Sequence, residues 1–599
     1  MKKALLLAAS AALFLTPAAR AQSVAEADAF ADRAERELYE PYVQNNRALW
    51  VSETYITDDT EAIAAESNAA YNALSVDFAT KAAAFTDVPG LSESTARKLN
   101  LLRQAAYLPA PTRPGAAKEL SEISAGLTSA YGRGAGTLRG ERIEVGDLYD
   151  EMESNRNPAE LKEMWTSWHD NVGRPMKGDY ARLVDIANEG ARELGYADVG
   201  ALWRAGYDMP AEDFSRLVDG LWSEVKPLYD DLHCYTRGKL NETYGDAVQA
   251  DAGPIRADLL GDPWAQYWVG LYDIAAPQGA GDIGFDTTEL LARAGYDELK
   301  MVRTGEAFFA SLGFPSLPET FWQRSMFTKP ADREVVCHAS AWSIDERDDL
   351  RLKMCIRVNE SEFKTIHHEL GHLYYYRAYS EQPFLFRDGA NDGFHEAIGD
   401  FLALSMTPDY LVKIGLLEPD KVPSADKDVG LLLKEAMDRV AFLPFGLLVD
   451  KWRWGVFDGS IGPDQYQTAW DKLRLDYQGV IPPVERDAGA FDPGAKYHIP
   501  STTPYMRYFL SYVLMFQFYE SACKQAGWDG PLHRCSFYGN KDVGRRFGEM
   551  LAMGRSKPWP DALEVFTGGR EISGRSIVNY FAPLHAWLKE QNRGKSCGW

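Results

Sequence analysis

The segment Lys364-Thr-Ile-His-His-Glu-Leu-Gly-His-Leu-Tyr374 is the part of the sequence that says most about the fold of the chain. It contains the pattern His-Glu-x-x-His, with His368 and His372 four positions apart. Because residues at this spacing lie on one face of an α-helix, the two imidazoles can converge on one metal ion. Glu369 follows the first histidine, so its carboxylate is predicted to face a metal-activated water and to take its proton. The segment therefore predicts a helix that carries a catalytic zinc site.

A catalytic zinc site needs a third protein ligand and keeps one position open. The segment Gly393-Phe-His-Glu-Ala-Ile-Gly-Asp400 offers Glu396, which lies 24 residues beyond His372. This separation allows the first helix to end, a loop to follow and a second helix to return. Asp400 comes one helical turn after Glu396, where it is expected to orient a ligand imidazole by accepting its hydrogen bond. We therefore predict His368, His372 and Glu396 as the zinc ligands.

Helical patterns dominate the rest of the chain. Apolar residues recur at three- and four-residue spacing in the long stretches 160–168, 211–240, 286–312 and 429–454. Strand-like alternation is sparse, and its best candidates, 334–341 and 351–358, come just before the metal motif. They are expected to pair as a hairpin. The sequence thus predicts a mainly α-helical protein with a small β element near the zinc site.

Length and composition favour one large folded unit. The 599 residues exceed what one simple core supports, yet no Ser/Gly-rich or Pro-rich linker and no long charge run divides them. Hydrophobic residues make up 45% of the chain, which is ample for burial. We therefore predict a single domain of two interlocked lobes over residues 22–599.

The first 21 residues have the pattern of a secretory signal peptide. Lys2 and Lys3 precede an apolar run over residues 4–15, and small residues follow, so cleavage is predicted after Ala21. The run is too short for a comfortable transmembrane helix, and no later window has 18 uninterrupted apolar residues. The short basic start is typical of bacteria. We expect a secreted or periplasmic protein without stable membrane insertion.

The charge of the chain excludes two classes of partner. Its formal net charge is -23, and removal of the leader with its three basic residues makes it -26. Nucleic acids and anionic membranes both bind cationic protein surfaces, so neither is an expected partner. The oligomeric state stays open.

Six cysteines in an exported chain are disulfide candidates. Two pairs lie 18 and 12 residues apart and could each close a short loop: Cys337 with Cys355, and Cys523 with Cys535. Cys234 and Cys597 are left over, and they either pair with each other or stay free.

Four further motifs accompany the metal-binding segment. They are Val336-Cys-His-Ala-Ser-Ala-Trp342, Gly389-Ala-Asn-Asp-Gly-Phe-His-Glu-Ala-Ile-Gly-Asp400, Trp452-Arg-Trp454 and Phe491-Asp-Pro-Gly-Ala-Lys-Tyr-His-Ile-Pro500. Together with it they resemble the angiotensin-converting enzyme family, that is, peptidyl-dipeptidase A, from about Trp165 to Trp599. The resemblance implies a helical ellipsoid of two lobes around a deep central cleft, with N-terminal helices as a lid. Both short-range cysteine pairs coincide with family disulfides.

The implied reaction is the release of C-terminal dipeptides from oligopeptides with a free C-terminus, with one zinc ion. His498 and Tyr508 resemble the groups that donate hydrogen bonds to the tetrahedral oxyanion. Such preorganised donors stabilise the negative charge that develops in the transition state more than they stabilise the ground state. Three residues of the first motif resemble the strand that aligns the peptide: His338, Ala339 and Ala341.

The direction of cleavage is implied by a clamp on the terminal carboxylate. Gln266, Lys496 and Tyr505 resemble this clamp, and a cation with two neutral donors suits a free carboxylate. In a related carboxypeptidase that releases single residues, an Arg stands at the position of Gln266 and the counterpart of Lys496 is missing. That activity and a zinc oligopeptidase, which would lack the clamp, are the alternatives. A peptide-binding protein without catalysis would show damage at Glu369 or the zinc ligands, and none is visible.

The resemblance also implies chloride as an activator. Tyr207 and Arg507 look like one chloride site of the family, because a buried arginine without a carboxylate can use an anion as its partner. Trp470 and Arg474 match part of a second site. There His169 stands where the family has another arginine.

Overall fold

The computed structural model describes residues 22–277 and 285–599. The predicted signal peptide and its cleavage site lie outside the described residues. The helices of the first half, up to the metal motif, are α1 (Val24–Thr54), α2 (Asp58–Ala82), α3 (Glu93–Gln104), α4 (Ala116–Gly132), α5 (Val145–Ser154), α6 (Pro158–Trp168), α7 (Lys177–Glu193), α8 (Val199–Ala205), α9 (Ala211–Tyr244), α10 (Tyr272–Ala275), α11 (Thr287–Arg293), α12 (Glu298–Leu312) and α13 (Glu319–Arg324).

The second half begins with the two helices that carry the predicted zinc ligands. Its helices are α14 (Glu360–Ala378), α15 (Asp392–Leu404), α16 (Pro408–Lys413), α17 (Asp428–Phe457), α18 (Tyr466–Leu473), α19 (Met506–Gln525), α20 (Lys541–Ala552), α21 (Trp559–Thr567), α22 (Arg575–Tyr580) and α23 (Ala582–Gln591). Within the described ranges the strands form three two-stranded sheets: β1 (Ala135–Leu138) with β2 (Glu141–Glu144), β3 (Ile255–Arg256) with β6 (Val480–Ile481), and β4 (Ser340–Ser343) with β5 (Leu350–Lys353). The predicted mainly α-helical class is confirmed.

One predicted helical stretch is interrupted. Residues 286–312 form α11 and α12 rather than one continuous helix. Gly295 between them has φ +63°, a left-handed conformation that ends a helix. Asp297 then caps α12, because its side chain accepts a hydrogen bond from the backbone N–H of Lys300 at 2.7 Å.

The predicted hairpin forms, but its strands are shorter and shifted. Strands β4 and β5 pair antiparallel, and the Cys337–Cys355 disulfide lies just outside them. Residues 334–336 are not part of β4 because they hydrogen-bond to the end of α1: the N–H of Val336 donates to the carbonyl of Glu53. Residues after β5 likewise turn away, and the N–H of Met354 donates to the carbonyl of Met326.

Two further disulfides form in the helical body, one between neighbouring segments and one between distant ones. Cys523 in α19 is bonded to Cys535, and Cys234 in α9 is bonded to Cys597 near the C-terminus. The latter pair spans 363 residues, which is why spacing alone left it open. The predicted short-range pairs both occur.

Most of the buried apolar side chains form one continuous core that extends from Ala116 to Leu588. A smaller cluster joins α1, α2 and α3 to Leu385, in the loop between α14 and α15. The N-terminal helices are therefore packed as a separate layer over the segment that connects the two zinc-ligand helices. Among the described residues, no helix combines the length and apolar character needed to cross a bilayer.

Candidate active site

Helices α14 and α15 carry the predicted metal ligands and pack directly against each other. Each is preceded by an N-cap asparagine whose side chain accepts a backbone N–H of the first turn: Asn359 for α14 and Asn391 for α15. Glycines allow the two backbones to approach closely. A Cβ on Gly371 would lie only 3.2 Å from the Cα of Gly399. The close packing brings the ligands of the two helices together.

The predicted zinc ligands converge. Candidate ligand atoms of His368, His372 and Glu396 all lie within 4.8 Å of one another. The Nε2 atoms of the two histidines are 3.0 Å apart, and Nε2 of His368 is 3.8 Å from the Glu396 carboxylate. Two imidazoles and one carboxylate form a donor set that suits zinc and leaves a fourth position open. The residues therefore fit the ion that the sequence implied.

Asp400 lies behind the first ligand. Its Oδ1 is 3.4 Å from Nδ1 of His368, which leaves Nε2 of that ring for the metal. Arg439 is 3.4 Å from the same Asp400 oxygen and lowers the pKa of this carboxyl against the opposing effect of burial. Asp400 thus stays charged and can orient the imidazole.

Glu369 lies between the metal ligands and strand β4. Its side chain is buried, and burial raises the pKa of its carboxyl while the nearby His368 lowers it. Helix α14 packs against strand β4. The structure therefore places the predicted base on a helix that lies beside the predicted peptide-aligning strand.

The two predicted oxyanion donors also meet. Nε2 of His498 and the hydroxyl of Tyr508 are 3.4 Å apart. Burial, reinforced by the positive charges of Lys496, Arg453 and Arg507, lowers the pKa of His498 to about 2. His498 is therefore a neutral imidazole at any physiological pH, with a single N–H to donate.

A buried ion pair that sequence reasoning missed holds this pair of donors in place. Nε of Arg453 donates to Oδ1 of Asp450 at 2.7 Å, and Nη1 of Arg453 donates to the carbonyl of His498 at 2.8 Å. Asp450 also accepts the backbone N–H groups of Tyr505 and Met506. The sequence signal for this ion pair was the Trp452-Arg-Trp454 motif, because Asp450 comes three residues before its arginine.

The three predicted clamp residues come together from segments 230 residues apart. Oε1 of Gln266 accepts hydrogen bonds from the Tyr505 hydroxyl at 2.9 Å and from Nζ of Lys496 at 3.4 Å. Burial lowers the pKa of Lys496, and the carboxylate of Asp262 acts in the opposite direction. Sequence reasoning missed Tyr149, whose hydroxyl lies 3.4 Å from Nε2 of Gln266. The result is a compact polar group with one cation.

Trp470 and Arg474 lie one helical turn apart, at the end of α18 and just after it. The indole N–H of Trp470 is buried and has no hydrogen-bond partner in the described part of the chain. Arg474 is also buried and donates only to Gln478 and to the carbonyl of Trp264, with no carboxylate within 4 Å among the described residues. Burial lowers the pKa of Arg474 to about 10. His169, whose pKa burial lowers to about 4, adds no charge there.

Arg507 has a different environment. Its Nε lies 3.4 Å from Oδ2 of Asp392, the first residue of α15. The hydroxyl of Tyr207 lies near the same carboxylate and lowers the pKa of Asp392, while burial raises it. A carboxylate therefore stands next to the arginine for which an anion was expected.

Two cavities border the zinc ligands. One of about 530 Å³ is lined by His338, Ala339, His368 and Glu369. The other, of about 300 Å³, is lined by Glu396, Arg507 and Tyr508 among others. Each cavity therefore reaches one of the predicted ligand side chains, His368 in the larger and Glu396 in the smaller.

Comparison with known proteins is consistent with this geometry. The profile of the family described as angiotensin-converting enzyme, peptidase M2, matches residues 21–599. The chain is 39% identical to the rat angiotensin-converting enzyme over 579 residues, which is 95% of this chain and 43% of the relative. The rabbit angiotensin-converting enzyme is 40% identical over 584 residues, 96% of this chain and 44% of the relative.

An invertebrate relative is matched more evenly. The angiotensin-converting enzyme of the leech Theromyzon tessulatum is 42% identical over 455 residues, which is 76% of this chain and 73% of the relative. The chain thus spans less than half the length of the mammalian relatives, but about three quarters of the leech protein.

Proposed function

Because the chain belongs to the angiotensin-converting enzyme family, we propose that it is a zinc peptidase that releases dipeptides from the C-termini of oligopeptides. The observation that carries the proposal is the contact of Gln266 with both Lys496 and Tyr505. A free terminal carboxylate needs a cation and neutral donors, and this group offers both. A clamp that holds the terminal carboxylate at a fixed distance from the metal ligands determines how many residues lie between the C-terminus and the cleaved bond.

Different residues of the chain act in different steps of the hydrolysis. When bound, zinc supplies the Lewis acidity that lowers the pKa of a water molecule towards neutrality. Glu369 takes the proton of the attacking water and returns it to the leaving amine. His498 and Tyr508 donate hydrogen bonds to the carbonyl oxygen as it becomes negative. Buried Asp450 and Arg453 hold these donors, so that little reorganisation accompanies the reaction.

The peptide is aligned by the edge of the small hairpin. His338, Ala339 and Ala341 are at or near the start of β4, where an extended substrate can add as a further strand. The packing of β4 against α14 supports this placement, because α14 carries the catalytic base.

We further propose that residues 22–599 form one domain, with α1 to α3 as a lid over the cleft. The lid contacts the hairpin: the Tyr39 hydroxyl donates to the carbonyl of Asp345 at 2.9 Å, and Glu53 lies 2.9 Å from Lys353. These contacts connect the lid to the hairpin whose first strand is proposed to align the peptide. Such a cover would exclude large folded proteins and admit oligopeptides.

Chloride is the proposed activator, and Trp470 with Arg474 is the site that the contacts favour. Among the described residues the buried indole N–H of Trp470 has no partner and the buried Arg474 has no carboxylate within 4 Å, and one bound anion would interact with both. We also propose that the protein is exported, to the periplasm or the medium, after cleavage of residues 1–21.

Mass spectrometry of digestion products tests the function. A set of unmodified peptides should give ladders that step by two residues, and the same peptides with amidated C-termini should be cut much more slowly. Ladders that step by one residue would favour a carboxypeptidase, and internal cuts insensitive to amidation would favour an oligopeptidase. A chelator must abolish the activity if zinc is required.

A further inference from the structure

Asp392 is the acidic partner of Arg507. Its Oδ2 lies 3.4 Å from Nε of Arg507, and the nearby Tyr207 hydroxyl lowers the pKa of its carboxyl against the effect of burial. Both charged side chains are about three-quarters buried, with 21% and 24% of their side-chain surface exposed. Burial alone would lower the pKa of Arg507, but the carboxylate of Asp392 keeps it raised. The arginine therefore already has a negative charge beside it, although among the described residues its buried Nε makes an ion pair rather than a hydrogen bond.

The backbone explains why this contact forms. Asp392 is the first residue of α15, where a carboxylate is favoured by the helix dipole. The next residue, Gly393, lets α15 approach α19 closely, since a Cβ there would lie 3.1 Å from the Cβ of Leu510 and 3.4 Å from the carbonyl oxygen of Arg507. The start of α15 is thus pressed against the start of α19, which carries Arg507.

The charges that line this cavity are balanced without a bound ion. Three arginines line it, and each has an acid: Arg97 with Asp208 at 2.8 Å, Arg555 with Asp388 at 3.0 Å, and Arg507 with Asp392. The remaining acid, Glu396, belongs to the metal ligands. No surplus cation is left among the described lining residues to attract an anion, in contrast to Arg474.

We propose that Asp392 is a built-in anion that takes the place of chloride at Arg507. It is a positioning residue: it holds Arg507, which holds the adjacent Tyr508 at the start of α19. Chloride sensitivity then arises at Trp470 and Arg474 alone. The effect on turnover rests on the proposed function, whereas the anion occupancy at Arg507 does not.

Chloride titration of variants tests the kinetic side. Asp392→Ala should lose kcat on the order of 10- to 100-fold in chloride-free methanesulfonate buffer of constant ionic strength, because Tyr508 is no longer held. Added chloride should restore much of this loss in the variant, with little change in KM. Asp388→Asn is the matched control: it removes a charge from the same cavity, but not the partner of Arg507, and should show no new chloride rescue. Equal chloride responses of wild type and Asp392→Ala would overturn the proposal.

Bromide in crystals tests the same idea without any peptidase assay. Anomalous diffraction from bromide-soaked crystals should place an ion at Arg507 in Asp392→Ala and none there in wild type. Asp392→Asn, which keeps the shape of the side chain, serves if the alanine variant does not fold. Bromide at Arg507 in the wild-type protein would overturn the proposal. If the protein showed no dipeptide release, these occupancies would still decide the role of Asp392.

Discussion

Replacement of Gly399 by alanine should disturb the zinc site, because the added Cβ would displace the ring of the ligand His368. The added Cβ would lie 2.7 Å from both Cε1 and Nδ1 of His368. Ordinary carbon contacts are about 3.5–4.0 Å, so the ring must move by about 1 Å or the helices must separate. His368 cannot yield freely, because Asp400 holds its Nδ1 and the metal requires its Nε2.

The expected loss of zinc affinity follows from how little the metal–ligand distances can vary. Ligand distances vary by only about 0.2 Å in a working site, so a displacement of about 1 Å is far outside that range. Overpacking of this kind costs about 1–3 kcal/mol, which corresponds to a loss of zinc affinity of roughly 10- to 100-fold. Stability of the apo protein should fall by a similar free energy.

Competition with a chromophoric chelator would measure the zinc dissociation constant of Gly399→Ala and wild type, with the melting temperature as a check of folding. Gly220→Ala is the control, because Gly220 lies in α9 with no atom within 4 Å of the added Cβ. It should leave zinc affinity unchanged and stabilise the protein by about 0.5–1 kcal/mol. A folded Gly399→Ala protein with wild-type zinc affinity would refute the reasoning.

Three other substitutions have definite expected outcomes. Glu369→Gln should retain zinc, measured by metal analysis, yet lose kcat by about 10²- to 10⁴-fold, since the amide cannot take the proton; normal turnover would remove its role as base. Lys496→Ala should raise KM for free-acid peptides but not for amidated ones. In wild type, KM for free-acid peptides should begin to rise at a pH below the ordinary pKa of lysine. Burial lowers the pKa of Lys496, so its charged form is lost at a lower pH. Trp470→Phe removes only the indole N–H and should weaken chloride activation in a chloride titration; an unchanged response would exclude Trp470 from the site.

The local parts of this architecture could be predicted from the sequence. His368, Glu369 and His372 lie on one helix, and their relative directions follow from the period of 3.6 residues. Glu396 and Asp400 obey the same rule on the next helix. The resemblance supplied the clamp, and the comparisons confirm that family. Even so, 286–312 contained a break at Gly295 that periodicity did not indicate, and the hairpin strands started late because the preceding residues bind α1.

What the sequence alone determined was the metal site, the helical class and the family. Only the tertiary structure decided which buried charge meets which partner. Asp392 and Arg507 are 115 positions apart, and Cys234 and Cys597 are 363 apart, so no local pattern links them. The physical reason for this difference is that the period of a helix determines only which of its own side chains share a face. The neighbour across that face depends on how distant helices pack, and for α15 and α19 this depends on the missing side chain of Gly393.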